Sequence, residues 1–195
     1  MGGRTFLTNL FFGKEAAVRR AAAKTKSIRD LPDRKLLAEA YIPAFAADRG
    51  RILWVGCRAY TATDYAALET QGAEVWTTDI DPSAARWGRE GRHRTGDLCE
   101  IDQVFADLTF DAVICNGVLG FGVDEVEAQR RAFAAMAAIL RPGGRLLLGW
   151  NSDRIADLVA AGLPDEWFVV ADHAGQPARV RFDAVTHVYD SLIRR

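Results

Sequence analysis

Short apolar runs and longer amphipathic segments alternate along the chain from residue 51 onward. Continuous apolar runs of this length predict strands that are buried on both faces of a sheet, and apolar positions three and four residues apart predict helices. The predicted strands are Arg51–Gly56, Glu74–Asp81, His93–Leu98, Phe110–Asn116, Arg145–Trp150, Arg179–Phe182 and Thr186–Arg194. The predicted helices are Thr63–Gly72, a short helix opened by Pro82, Glu125–Leu140 and Ile155–Ala161, with a turn at Pro142–Gly144.

The order of these elements predicts an α/β fold. Alternating strands and helices connect by right-handed crossovers and form a parallel sheet that is covered on both faces. We therefore expect a doubly wound, mostly parallel seven-stranded sheet with helices on both faces and an antiparallel last strand. Ligands of such sheets bind at the carboxyl ends of the strands. The length of 195 residues fits one domain of this kind.

Residues 1–49 differ in pattern from the rest of the chain and contain all of its lysines. Helix formers predict a helix over Ala16–Ala23, and apolar spacing predicts another over Asp33–Ala47, with a kink or break at Pro43. We therefore divide the chain into an N-terminal helical cap, residues 1–49, and an α/β domain, residues 50–195. The cap is either packed permanently on the domain or is a mobile lid that closes over substrate.

Charge and cysteine usage narrow the class of partner. The formal net charge of −1 is nearly balanced, and no basic stripe with interleaved aromatic residues is present, so neither nucleic acid nor a membrane is expected as a partner. The expected partner is a small molecule.

Cys57, Cys99 and Cys115 lack the spacing of a zinc site or a disulfide framework, which predicts free thiols and no metal site. With no signal peptide or membrane span in the sequence, we expect a cytoplasmic protein.

Glycine and acidic residues fall where the predicted strands end. Gly56 ends the first strand, Asp79 lies near the end of the second, and Asp97 and Leu98 follow the third. The 23 positions from Gly56 to Asp79 are close to the offset of about 20 residues at which an acidic side chain accepts hydrogen bonds from a ribose. Asp97 can accept from an adenine amino group while the backbone N–H of Leu98 donates to a ring nitrogen. This set predicts a site for an adenosine-containing cofactor.

The order of these motifs resembles the core of the class I S-adenosylmethionine-dependent methyltransferases. The matching segments, within residues 51–151, are ILWVGCRAY, VWTTDIDP, TGDL, FDAVICNGVLGFG and ILRPGGRLLLGWN. The resemblance implies S-adenosyl-L-methionine as the cofactor. The cofactor-binding residues that follow from the resemblance and from the loop sequence are Gly56, Arg58, Tyr60, Asp79, Ile80, Asp97, Leu98, Asn116 and Gly117.

The loop after the first strand departs from the family pattern. Trp54 stands where the family has an acid, and Arg58 and Tyr60 stand at the positions of its second and third glycines. The ammonium group of methionine therefore lacks its customary partner. Arg58 either pairs with the methionine carboxylate, in the fork geometry that arginine favours, or is a solvated loop side chain. A nicotinamide cofactor is disfavoured because GCRAYT has no third glycine at the helix start, where a pyrophosphate would bind.

Three side chains are candidates for a catalytic role. Methyl transfer from a sulfonium requires a positioned nucleophile, a dry cavity and in some cases a base, so no motif singles out one catalytic residue. His173 lies in a polar loop where the family has substrate-facing loops, Tyr60 lies in the cofactor loop, and Asn151 follows the fifth strand. Packing or solvent exposure is the alternative for each. His187 shares an alternating strand with Tyr189, which favours a buried histidine with satisfied hydrogen bonds.

The leading hypothesis is an S-adenosylmethionine-dependent methyltransferase that acts on a small molecule. A second hypothesis keeps the fold and the cofactor but assigns a rearrangement or cyclisation, because the glycine loop is altered. A third is a non-catalytic nucleotide-binding scaffold. Binding of S-adenosylhomocysteine separates the third from the other two, and a product that has gained one methyl group separates the first from the second.

Overall fold

The structure is a computed structural model that describes residues 28–195. The strands are β1 Arg51–Val55, β2 Glu74–Asp79, β3 His93–Thr95, β4 Phe110–Asn116, β5 Leu140–Asn151, β6 Phe168–Val170, β7 Arg179–Arg181 and β8 His187–Arg194. The α-helices are α1 Pro32–Leu36, α2 Ile42–Asp48, α3 Ala62–Glu69, α4 Ile101–Val104 and α5 Val126–Ile139. A π-helical turn, Leu37–Tyr41, joins α1 to α2, and 3-10 turns cover Pro82–Trp87 and Leu98–Glu100. The predicted helix over Ala16–Ala23 lies outside the described residues.

The strands form one mixed sheet in the order β3-β2-β1-β4-β5-β8-β6, with β7 also paired to β8. Strands β1 to β5 pair in parallel, β8 runs antiparallel to β5, and β6 and β7 run antiparallel to β8. The predicted α/β fold with an antiparallel last strand is confirmed. The hydrophobic pattern does not predict β6, because this strand has three residues and only Phe168 is buried.

Helices cover both faces of the sheet and enclose two hydrophobic cores. In β1, Leu53 and Val55 belong to the core that contains residues of α4 and α5. Ile52 and Trp54 belong to the core that contains residues of α2 and α3. Because β1 is buried on both faces, nearly every residue in it is apolar, which is why the strand is visible as a continuous run in the sequence.

The predicted cap is described from residue 28 onward, and its helical segment 32–48 confirms the helix expected over Asp33–Ala47. Pro43 does not end it. The preceding turn is π-helical, with the N–H of Ile42 bonded to the carbonyl of Leu37. This wider turn accommodates the helical hydrogen bond that proline, which has no N–H, cannot make. Tyr41 and Phe45 are buried in the core below, so this segment is packed on the sheet. Among residues 28–195, no helix has the length and apolarity to cross a bilayer.

Two local predictions are wrong. Residues 155–161 form turns instead of a helix, and the Asp157 carboxylate in this segment binds the guanidinium of Arg179 in β7 at 2.6 Å. This ion pair holds the segment against a strand that lies far along the chain. The predicted turn at Pro142–Gly144 lies within β5, where the register with β4 shifts.

Candidate functional site

A cavity of about 290 Å³ lies at the carboxyl edge of the sheet. Its lining contains every cofactor-binding residue predicted from the sequence, namely Gly56, Arg58, Tyr60, Asp79, Ile80, Asp97, Leu98, Asn116 and Gly117. These residues lie at or just beyond the ends of β1 to β4, which meet at one edge because the strands are parallel. The structure therefore brings distant parts of the chain around one cavity. Their roles as cofactor ligands remain predictions.

The loop after β1 turns at Gly56, which has a φ of +87°. A Cβ at this position would lie 3.3 Å from Cγ2 of Val118, so glycine meets both a backbone and a space requirement. The indole N–H of Trp54 donates to the carbonyl of Gly56 at 3.0 Å. Trp54 therefore stabilises the loop from within the core instead of presenting a charge to the cavity, as the acid of the family pattern would.

The buried carboxylate of Asp79 ties the loop after β1 to the loop after β2. Its Oδ2 accepts from the N–H of Cys57 at 2.8 Å, and its Oδ1 accepts from the N–H of Asp81 at 2.9 Å. Each carboxylate oxygen has two acceptor positions, and Nη1 of Arg58 also lies 2.7 Å from Oδ2, so one position on Oδ1 remains for a hydroxyl donor in the cavity. The backbone contacts keep the carboxylate in position for it.

Arg58 lies at the cavity with one nitrogen of its guanidinium engaged. Its Nη1 lies 2.7 Å from Oδ2 of Asp79 and also donates to the carbonyl of Cys57 at 2.6 Å, while its side chain is half exposed. Its Nε and Nη2 make no hydrogen bond to residues 28–195, so a contact with a methionine carboxylate and a solvated side chain both stay predictions. Exposed ion pairs of this kind add little stability, so the main consequence is that Arg58 occupies one acceptor position of Asp79.

The loop after β3 supplies the next wall of the cavity. Asp97 caps the 3-10 turn that follows, with Oδ1 accepting from the N–H of Cys99 at 2.9 Å. Leu98 is buried beside it, and Ile80 lies at the exposed rim. The cavity is thus bounded here by an apolar side chain and a carboxylate, which matches the needs of an adenine ring and its amino group.

Arg34 of α1 also lines this cavity, and the sequence motifs do not identify it. Its guanidinium carbon lies 5.4 Å from the ring centroid of Tyr60, and its Nη2 lies 4.0 Å from where a Cβ on Gly117 would stand. A planar guanidinium at the end of β4 can bind a carboxylate through two parallel hydrogen bonds. The sequence signal for it is the excess of basic residues within positions 1–49, which a solvated helix face explains equally well.

A buried polar cluster lies where β4, β5 and β8 approach α1. Nδ2 of Asn116 donates to the hydroxyl of Tyr189 at 3.1 Å, and this hydroxyl donates to the carbonyl of Asp33 at 3.3 Å. His187 packs edge-on against the Tyr189 ring. Burial, together with the charge of Arg34, lowers the pKa of His187 to about 3. The predicted burial of His187 is confirmed; its Nε2 has no hydrogen-bond partner among residues 28–195.

Tyr60 and Asn151, two of the catalytic candidates, lie at the same edge of the sheet. Tyr60 lines the cavity. Asn151 ends β5 and bonds Thr186 and His187, at 3.0 and 3.1 Å, outside the cavity lining. Asn151 is therefore placed to orient the imidazole ring of His187.

His173, the third candidate, lies away from the cavity. Its ring packs against Tyr41 and Phe45, with centroids 6.1 and 4.6 Å apart. Burial in this aromatic environment lowers the pKa of its imidazole. This placement on the core side of α2 removes the reason for proposing His173 as a base at the cavity.

A second cavity, of about 310 Å³, lies near the amino ends of β1 and β4. The Asp111 carboxylate in its lining already accepts from the N–H of Arg51 at 2.7 Å and from Nε of Arg141 at 2.5 Å. These contacts join the sheet to the start of β5 and give Asp111 a structural role. The carboxyl-edge cavity, which collects the predicted residues, is therefore the candidate functional site.

The fold and the site define a class of protein. A mostly parallel sheet of order 3-2-1-4-5 with a cavity at its carboxyl edge is a Rossmann-like architecture, which places nucleotide ligands at that edge. The cavity lining carries acidic side chains for hydroxyl and amino groups and an arginine for an acid, as a charged nucleoside derivative requires.

Comparison with known proteins places the chain within this class. Residues 53–148 match the family model for a methyltransferase domain. The ubiquinone/menaquinone biosynthesis C-methyltransferase UbiE of Klebsiella pneumoniae is 30% identical over 136 residues, which are 66% of this chain and 53% of that protein. UbiE of Pasteurella multocida is 34% identical over 101 residues, 48% of this chain and 36% of that protein. The chain thus spans about half or less of the length of these curated relatives.

Solved structures show the same fold. The N-methyltransferase NodS from Bradyrhizobium japonicum WM9, in complex with S-adenosylhomocysteine, superposes with a TM-score of 0.62 at 16% identity and covers 87% of this chain and 90% of that one. A TehB-like S-adenosylmethionine-dependent methyltransferase from Corynebacterium glutamicum superposes with a TM-score of 0.60 at 20% identity, covering 89% and 100%. Residues 53–148 match the methyltransferase-domain family model, and the chain has the same fold as these methyltransferase structures.

Proposed function

We propose that this protein is an S-adenosylmethionine-dependent methyltransferase that acts on a small molecule. The observation that carries the proposal is the convergence of the predicted cofactor residues, from the ends of four strands, on one cavity of about 290 Å³. The nearly balanced net charge of −1 argues against nucleic acid as the acceptor.

The chemistry of the lining fits the proposed cofactor. Asp79 would accept a hydrogen bond from a ribose hydroxyl, Asp97 would accept one from the adenine amino group, and Leu98 would pack on the ring. Arg34 would hold the methionine carboxylate through the part of its guanidinium that lines the cavity, while its Nε lies 3.3 Å from Oδ2 of Asp33. S-adenosylmethionine supplies an electrophilic methyl group on a sulfonium. The protein therefore has to bind the cofactor and the acceptor, orient them toward each other and exclude water.

The position of α1 supports the exclusion of water. Arg34 extends from this helix toward Gly117 at the end of β4, and its guanidinium lies over the face of Tyr60. Leu37 and Tyr41, in the π-helical turn that follows, are buried in the core and keep the helix on the sheet. An acceptor bound beneath α1 would therefore lie between Tyr60 and the end of β4.

Calorimetry with S-adenosylhomocysteine tests the proposal. We expect wild-type protein to bind it and Asp79→Ala to weaken binding by about 1–3 kcal/mol, the scale for losing a hydrogen-bond partner that is charged. Asp81→Ala is the matched control, because this exposed carboxylate bonds only to Ser83 among residues 28–195. Wild-type protein that does not bind S-adenosylhomocysteine, or a folded Asp79→Ala variant with unchanged affinity, would contradict the proposal.

A further inference from the structure

The charged side chains at the carboxyl-edge cavity balance one another. Arg58 is paired with Asp79 at 2.7 Å, and Arg34 lies 3.3 Å from the carboxylate of the buried Asp33. The lining has one further charge of each sign, on Arg131 and Asp97. Within residues 28–195, these side chains therefore give the cavity no net charge.

The proposed cofactor would add one positive charge to this balanced cavity. S-adenosylmethionine carries a sulfonium, an ammonium and a carboxylate, so positive charge is in excess by one. Trp54 stands where the family pattern has an acid, and its indole N–H is bonded to the carbonyl of Gly56. No side chain of β1 therefore offsets the ammonium. A second ligand with one negative charge would restore the balance, and unpaired charge is costly in a partly buried cavity.

The guanidinium of Arg58 has one edge open to such a ligand. Its Nη1 is bonded to Oδ2 of Asp79 and to the carbonyl of Cys57, at 2.7 and 2.6 Å. Its Nε and Nη2, which form another edge of the planar group, make no hydrogen bond to the part of the chain that the structure describes. These two nitrogens match the two oxygens of a carboxylate in the fork geometry that arginine favours. The bonds of Nη1 hold the guanidinium in place and leave this edge available.

Arg34 is better placed than Arg58 for the carboxylate of the cofactor. Its Nη2 lies 4.0 Å from where a Cβ on Gly117 would stand, at the end of β4. Its side chain is 17% exposed, whereas that of Arg58 is 51% exposed. The deeper guanidinium suits the ligand that fills the cavity, and the shallower one suits a ligand that enters at its mouth.

We propose that the methyl acceptor is a small carboxylic acid, bound as its carboxylate by Nε and Nη2 of Arg58. The inference rests on the proposed function and deepens it by naming the substrate class. A neutral acceptor would leave this edge of Arg58 without a partner beside a positively charged cofactor. A phosphate monoester carries nearly two negative charges at neutral pH and exceeds the single charge that the cofactor adds. Arg58 thus determines which acceptor binds and takes no part in the transfer itself.

Nitrogen-15 NMR of the arginine Nε–H groups tests the binding step without turnover. The ligand is sinefungin, which has an ammonium group in place of the methylated sulfonium and so keeps the positive charge but transfers no methyl. The probes are benzoate and benzamide, which share a shape and differ in charge. With sinefungin bound, we expect the Arg58 Nε–H resonance, identified by its absence from Arg58→Gln, to move on titration with benzoate but not with benzamide.

The charge of the cofactor should also affect this binding. The Kd for benzoate should be lower by about threefold or more with sinefungin than with S-adenosylhomocysteine, whose sulfur is uncharged. No movement with benzoate, equal movement with benzamide, or equal Kd values with the two cofactor analogues would overturn the inference. Failure of wild-type protein to bind either analogue would instead count against the proposed function.

Matched arginine variants separate a contact with Arg58 from a general loss of positive charge. Arg58→Gln should raise the Kd for benzoate by about tenfold or more, because a charged hydrogen-bond partner is lost, while the Kd for S-adenosylhomocysteine stays within about threefold. Arg181→Gln is the control and should leave benzoate binding unchanged. The Arg181 side chain is 52% exposed and pairs with Asp157 at 3.0 Å, much as Arg58 pairs with Asp79, but lies outside the cavity lining. Unchanged benzoate affinity in Arg58→Gln, or a tenfold loss of affinity for S-adenosylhomocysteine in that variant, would overturn the inference.

Discussion

The buried neutral imidazole of His187 predicts a specific loss of stability in mild acid. The residue is 4% exposed, its ring is packed against Tyr189, and it lies near the charge of Arg34. Its pKa falls from an ordinary value of 6.5 to about 3 in the folded protein. Between these two values the unfolded chain binds a proton that the folded protein does not, so stability must fall as the pH falls.

The size of the loss follows from the two pKa values. The contribution of His187 is fully present above pH 6.5 and decreases by about 1.4 kcal/mol per pH unit below it, until the folded pKa is reached. Moving from pH 7 to pH 5 crosses about 1.5 units of this window, so the free energy of unfolding should fall by about 2 kcal/mol through this residue alone. The loss is as large as that of a typical destabilising mutation.

Urea denaturation of wild-type protein and His187→Gln at pH 7 and pH 5 measures this loss. Other groups that titrate, including His93 and His173, contribute to both proteins and cancel in the difference. The wild type should lose about 2 kcal/mol more than His187→Gln between the two pH values, with equal m-values. Parallel losses in the two proteins would refute the assignment of a neutral, buried His187.

Three further changes test individual contacts. Arg58→Ala should change the free energy of unfolding by less than about 1 kcal/mol, because its ion pair is half exposed. Calorimetry should find the affinity for S-adenosylhomocysteine undiminished. A tenfold loss of affinity would show that Arg58 binds the ligand directly. Trp54→Phe should lower the free energy of unfolding by about 1–3 kcal/mol, since the carbonyl of Gly56 loses its indole donor, and an unchanged urea midpoint would contradict this. Gly149→Ala should lower the free energy of unfolding by about 1–3 kcal/mol, because the added Cβ would collide with Asn116 and His187. A variant as stable as the wild type would show that the space around Gly149 is larger than in the structure.

The agreement between sequence and structure is best where burial alone dictates the residue type. β4 has the predicted bounds, Phe110–Asn116, and α5 lies within one residue of the predicted helix at each end. Both are long elements with strong apolar patterns. β6 and residues 155–161 were not predicted correctly, because their conformations depend on pairing with β8 and on the ion pair to Arg179, which are contacts between distant segments.

The order of the motifs by itself predicted a cofactor-type site at the carboxyl edge, because parallel strands end at the same edge and Gly56, Asp79 and Asp97 each lie at or after the end of one. Only the tertiary structure decided which side chains complete the site. Arg34 reaches the cavity from α1, and the cavity residue Asn116 donates to the hydroxyl of Tyr189 in β8 although the two residues are 73 positions apart. These neighbours are set by how α1 and β8 pack on the sheet, and no local pattern of apolar and polar residues records that packing.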